Sequence, residues 1–128
     1  NAPSEVEEAQ EPDVSEIDTQ IVARLDALMT REKLFLNPEL TLSQLSRKLL
    51  IPVKQLSAAI NRVTGENVSR YINAARINAA QNALLAGETV TSAMLSSGFN
   101  TKSNFNREFL RVVGRSPSDW LGAHNHQP

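Results

Sequence analysis

The second half of this 128-residue chain repeats the first, and that duplication limits the fold more than any other feature. With a shift of 48, Thr41, Leu42, Leu45 and Ile51 fall on Thr89, Val90, Ala93 and Phe99. One extra residue then enters. With a shift of 49, Leu56, Ile60, Arg62, Gly65, Asn67 and Tyr71 fall on Phe105, Phe109, Arg111, Gly114, Ser116 and Trp120. Each copy reads as a short helix, a tight turn, a longer helix, a glycine stop and a capped helix carrying an aromatic. A short helix turning sharply into a second one is the helix-turn-helix arrangement. A helical solenoid needs about three or more copies to bury a continuous core, so two copies fit a bipartite reader better.

Local signals place the elements. Ile17, Ile21, Leu25 and Leu28 share one face of a helix expected over Ser15–Arg31. It either packs on the first lobe or continues a connector from upstream, being too short to establish a coiled coil. Pro38 closes the segment that follows. Leu42–Leu49 is a helix with Thr41 and Gln44 as its capping box and Leu42, Leu45 and Leu49 inward. Val53–Val63 is the next, with Val53, Leu56, Ile60 and Val63 inward and Gly65 as its stop. A long helix, Val68–Ala86, starts at Asn67, ends at Gly87 and carries the stripe Val68, Ile72, Ala75 and Ala79. At ~1.5 Å per residue it is roughly 28 Å long. Val90–Ser97 stops at Gly98. Thr101–Val113, capped by Asn100, turns Phe105, Phe109 and Val112 inward and stops at Gly114. Ser116, Pro117 and Asp119 open a last short helix.

No stretch sustains a two-residue alternation, so the expected class is all-α: two helix-turn-helix subdomains joined by a long central helix and preceded by an N-terminal helix. Residues 1–14, acidic and poor in bulky apolar groups, are expected to form a disordered linker. The N-terminal helix or connector spans 15–37, the double helix-turn-helix domain 38–122, and a disordered tail 123–128.

The formal net charge of −1 hides an asymmetry. Residues 1–19 hold seven acids and no base. The rest holds thirteen bases against seven acids, a net of +6. An acidic tail on a basic body is compatible with a polyanionic partner, or simply with solubility. Cysteine is absent, which removes disulfides, thiolate metal sites and a cysteine nucleophile and fits a reducing cytoplasm. His124 and His126 lie at a polar terminus where fraying is expected, so no metal site and no cofactor is expected. No phosphate loop, no HExxH and no set of paired core carboxylates is present, so an enzyme is not expected. No apolar run approaches the roughly 18 residues that would cross a bilayer, and no basic-then-apolar leader precedes the fold. The chain opens on Asn1 rather than Met, which reads as a processed chain or a piece of a longer one.

The outward faces of the two longer helices point to a function. Without its inward positions the first leaves Lys54, Gln55, Ser57, Ala58, Asn61 and Arg62. The second leaves Lys102, Ser103, Asn104, Asn106, Arg107 and Arg111. Apart from Glu108 at the flank, neither carries an acid. Such side chains hydrogen-bond base edges and phosphates, whereas an ordinary solvated face mixes in Asp and Glu.

These residues resemble the AraC/XylS family of bacterial transcription activators. The likeness covers about Pro38–Leu121 and is most specific over Gly98-Phe99-Asn100-Thr101-Lys102-Ser103-Asn104-Phe105-Asn106-Arg107, then Phe109, Gly114 and Ser116-Pro117-Ser118-Asp119-Trp120. Leu42-Ser43-Gln44-Leu45, Leu56-Ser57, Gly65, Tyr71-Ile72-Asn73 and Arg76 are similar in the first half. Asn37–Leu42 and Ile60-Asn61 look like the branch fused behind larger sensor regions, sometimes membrane-bound. Leu50, Pro52, Ala58 and the Ala93-Met94 pair depart from the pattern.

The resemblance implies homeodomain-like lobes and sequence-specific binding of double-stranded DNA by a cytoplasmic activator, its two recognition helices in adjacent major grooves. By family position, Lys54, Gln55, Ser57, Ala58, Lys102, Ser103, Asn106 and Arg107 would face bases. RNA polymerase and an upstream sensor region of the same chain are the implied partners. Arg107 suits a guanine contact, with a phosphate contact or a salt bridge as its alternatives. Asn61, Arg62 and Arg111 suit phosphates, with a solvated charge as the alternative for the two arginines. Arg76 either caps neighbouring carbonyls, the favoured reading, or bridges to the DNA backbone. Tyr71 and Trp120 are expected to pack. A different function class stays open: an all-helical protein-interaction module whose basic face meets an acidic partner.

Overall fold

The computed structural model describes residues 14–125. The expected acidic linker up to residue 13 and the tail from residue 126 lie outside the described residues. The order is α1 (Glu16–Glu32), a 3₁₀ turn (Leu34–Leu36), α2 (Leu42–Leu49), α3 (Val53–Thr64), α4 (Val68–Leu85), α5 (Val90–Ser96), α6 (Lys102–Val113) and α7 (Pro117–Asn125). Among the described residues there is no strand, and the all-α class stands.

The helices group into two compact units, the first made of the described residues up to Glu32 with Thr41–Val68, the second of Lys33–Leu40 with the described residues from Ser69 onward.

In the first unit α1, α2 and α3 close a three-helix core around Leu25, Leu45, Leu56, Ala59 and Ile60, all fully buried. Each large aliphatic side chain in such a core contributes about 1.5–3 kcal/mol relative to exposure. The helix α1 packs here: Ile21, Val22, Leu25, Leu28 and Met29 are buried. Ile17, expected on the same face, is exposed. One residue later the buried place belongs to Asp18, which meets Arg62. The start of α2 is fixed by the Thr41–Gln44 capping box. Its end is held from α1, where Arg24 Nη2 donates to the Leu49 carbonyl at 2.7 Å. Leu50 then turns the chain in the left-handed region with φ 58°.

In the second unit α4, α5 and α6 enclose Ile77, Ala80, Leu84, Ala93, Met94, Phe99, Phe105 and Phe109, with Trp120 and Leu121 packed against them. Phe99, Phe105, Phe109 and Trp120 follow one another edge to face at centroid separations of 5.3, 5.7 and 6.0 Å. Each such pair is worth about 0.5–1.5 kcal/mol beyond the area it buries. The stripe expected on α4 is only partly right. Ile72 is buried, Ala75 and Ala79 are half-buried, and the deep seam is Ile77, Ala80 and Leu84. Small alanines around this helix give no single apolar face that periodicity can select.

Arg76 ties the Lys33–Leu40 segment into the second unit. Its Nε donates to the Phe35 carbonyl at 2.7 Å, Nη2 to the Asn37 carbonyl at 2.9 Å and Nη1 to Asn73 Oδ1 at 3.1 Å. Burial pushes its pKa down from the ordinary arginine value. Gly98, at φ 100°, lies against this junction. Two terminal expectations need correction. Thr101, not Asn100, caps α6, its Oγ1 accepting from the Asn104 amide at 3.2 Å. Residues 123–125, expected in the tail, continue α7.

Candidate nucleic-acid interface

The repeat becomes a geometric register in α3 and α6. Each has 12 residues, they start 49 positions apart, and each ends on a left-handed glycine, Gly65 at φ 76° and Gly114 at φ 88°. Equal length between equal stops aligns their outward positions: Val53 with Lys102, Ser57 with Asn106, Ala58 with Arg107, Asn61 with Leu110, and Arg62 with Arg111.

Each helix turns much of its expected core inward within its own unit: Leu56 and Ile60 for α3, joined by Ala59, and Phe105 and Phe109 for α6. On α3, Lys54, Gln55, Asn61 and Arg62 are exposed, while Ser57 and Ala58 are half-buried. On α6, Lys102, Ser103, Asn106 and Arg107 are all exposed. Two positions assigned inward are not so: Val53 is 41% exposed and Val112 40%. Leu110, on the Asn106 stripe, is also exposed.

Glu108 is not on the flank of α6 but buried. Burial alone would raise its carboxyl. The hydrogen bonds and charge of Arg111, the Asn73 side chain and the charge of Arg107 outweigh that and hold it below the usual carboxylate range. Arg111 Nη2 and Nε donate to Glu108 Oε1 at 2.8 and 3.1 Å, and Nη2 also reaches the Arg70 carbonyl at 3.4 Å. Arg111 is therefore committed within the protein. The exposed surface of α6 carries no acid, since its one carboxylate points inward.

Arg107 differs. It is 67% exposed, and its Nη2 donates to Asn104 Oδ1 at 2.6 Å with Nε 4.0 Å from Glu108 Oε2. These contacts aim the guanidinium while leaving donors facing solvent. Arg62 is intermediate: Nη1 lies 3.3 Å from Asp18 Oδ2, yet half of the side chain is exposed.

Lys102, Asn106 and Leu110 border an open groove of about 570 Å³ whose other wall is Val90, Thr91 and Ser116-Pro117-Ser118. Sequence reasoning assigned Val53 to the core and passed over Leu110; the signal for both would have been the repeat register itself. A second groove, about 560 Å³, runs past Gln81, Arg115, Trp120 and His124 and includes none of the expected site residues. Among the described residues no group of His, Cys, Asp and Glu could hold a metal ion. No helix among them is long and apolar enough to cross a membrane.

A helix-turn-helix domain family matches residues 45–123, more than half of the chain. Among solved structures, a protein of unknown function from Listeria innocua is 24% identical, covering 84% of this chain and 98% of its own, with a TM-score of 0.68. The C-terminal domain of AraT, a response regulator from Geobacillus stearothermophilus, is 20% identical over 88% of each chain, with a TM-score of 0.67. The C-terminal domain of the two-component response regulator yesN from Fusobacterium nucleatum is 21% identical, covering 84% of this chain and 99% of its own, with a TM-score of 0.63. At these identities the likeness establishes the fold. No curated protein matches the chain in sequence.

Proposed function

This chain belongs to the AraC-type helix-turn-helix family of DNA-binding transcription regulators, and on that premise we propose that it binds duplex DNA sequence-specifically as an activator, with α3 and α6 each entering a major groove. In this reading the two grooves are neighbours on one face of the duplex. Lys54, Gln55, Ser57 and Ala58 of α3, with Lys102, Ser103, Asn106 and Arg107 of α6, face the bases. Arg107 pairs with guanine O6 and N7, a geometry its planar fork matches, and Asn106 and Lys102 flank it.

Asn61 and Arg62 contact phosphate, which positions the helix without specifying sequence. Arg111 leaves the phosphate set. Its bond to buried Glu108 supports a positioning role for α6 instead. RNA polymerase and an upstream sensor region are proposed as partners, and the cytoplasm as the compartment where such a regulator meets its DNA.

The observation that carries the proposal is the pair of 12-residue helices in one register, whose exposed faces hold Lys, Arg, Asn, Gln and Ser but no acid. Its test is selection of preferred sites from random duplex DNA, then binding of the selected and scrambled duplexes at two salt concentrations. The expected result is a saturable preference for the selected site, with affinity falling steeply as salt rises. Equal affinity for selected and scrambled duplexes would overturn it and return weight to an acidic protein partner.

A further inference from the structure

We propose that Val53 is a specificity-determining residue of the first unit and reads the 5-methyl group of thymine. The inference rests on the reading of α3 as a recognition helix and names what that helix recognises. Three observations carry it. First, Val53 lies at the N-terminal turn of α3, the end of a recognition helix that meets base edges, and is 41% exposed. It stands outside the buried core, which Leu56, Ala59 and Ile60 fill at full burial. Second, the register places Val53 where α6 has Lys102, and Ala58 where α6 has Arg107. Both cationic base-facing positions of the second helix are apolar in the first, whereas Arg111, which is bonded to Glu108, keeps an arginine partner in Arg62. Third, Lys54 and Gln55 beside Val53 are exposed, so the apolar group stands within a hydrogen-bonding surface and not within a broad apolar patch.

In the major groove the thymine methyl is the projecting apolar group of the base edges and the base-specific partner an apolar side chain contacts. A β-branched valine holds its two methyl groups in a restricted set of rotamers and loses little freedom on contact. The units then divide the work. The first adds a methyl contact to the hydrogen bonds of Lys54 and Gln55 and so favours an A·T pair in its half-site, and the second recognises its half-site by hydrogen bonds from Lys102, Asn106 and Arg107.

The test uses the full chain and a duplex selected from random DNA, with thymines replaced one at a time by uracil, which removes only the methyl. One buried methyl corresponds to roughly a 4-fold change in affinity. At least one uracil position should weaken binding by about 3- to 5-fold. Val53→Ala should weaken binding to the thymine duplex by a similar factor and show no further loss on the uracil duplex. Val53→Ser, which also removes both γ-methyl groups and puts a hydroxyl at this exposed place, should also lose the discrimination. Uracil substitution without effect, or an effect that persists undiminished in both variants, would overturn the assignment. Failure to select any preferred site would instead sink the DNA-reading proposal itself, so the two failures are distinct.

Discussion

Replacing Gly98 with alanine probes the junction that fastens Lys33–Leu40 to the second unit. Gly98 sits at φ 100°, and a Cβ there would lie 2.5 Å from the Phe35 carbonyl oxygen, 3.0 Å from Arg76 Nε and 3.1 Å from the Leu36 carbonyl oxygen. The left-handed conformation alone costs an L-residue about 1–2 kcal/mol. Relieving the contact means displacing backbone. The oxygen displaced accepts the 2.7 Å bond from Arg76, and a hydrogen bond to a charged group is worth about 1.5–3 kcal/mol. Together the loss is about 2.5–5 kcal/mol, a large part of the about 5–15 kcal/mol by which domains are stable. Gly114 supplies the control: φ is 88°, but an added Cβ meets nothing within 4 Å, so alanine there costs only the conformational strain, about 1–2 kcal/mol. The chain has one tryptophan, Trp120, and it packs against Phe109 in the same unit. Its fluorescence during urea titration reports that unit. Equal midpoints for Gly98→Ala and Gly114→Ala would refute the reasoning.

Three further outcomes follow from the same geometry. Glu108→Ala should destabilise by about 3 kcal/mol at neutral pH, because it leaves Arg111 half-sheltered without its carboxylate. Since the folded carboxyl titrates below its unfolded value, its contribution is full above the unfolded pKa and lost as pH falls through the folded one. The gap to the parent protein should therefore narrow in acid, and a gap independent of pH would contradict the ion pair. Arg107→Ala should cost about 1–3 kcal/mol on a selected site and relax one base preference, measured by competition binding; equal losses on selected and random duplexes would rule out base contact. Leu50→Gly should stabilise the first unit by about 1 kcal/mol, as the leucine holds a left-handed φ of 58° while 88% exposed. Circular dichroism during thermal unfolding checks this, and a lowered midpoint would mean that the leucine side chain contributes more than its conformation costs.

Periodicity and glycine stops were enough to locate α2 to α7, because Leu45, Leu56, Phe105 and Phe109 recur at helical spacing between strong terminators. Side-chain direction was harder to read. Glu108 looks like a surface acid in sequence, since nothing local announces that Arg111 and Asn73 will receive it in a buried position. Val53 looks like core because it is apolar, although its register partner is a lysine. The 3₁₀ turn at Leu34–Leu36 is too short for any periodicity to reveal. Arg76 was legible as a group that caps carbonyls, but its partners, Phe35 and Asn37, lie about forty positions away and only folding identifies them.

The packing of α1 redefines what was duplicated. Sequence comparison detects a pair of two-helix motifs, yet each structural copy includes a long helix laid against that pair, α1 in one unit and α4 in the other. A fragment trimmed to the recognisable motif, beginning near Thr41, would retain both recognition helices and still lack the lid of its first core and the strand of backbone that Arg76 grips. A fragment that keeps every described core contact therefore includes α1 and starts well upstream of anything the motif announces.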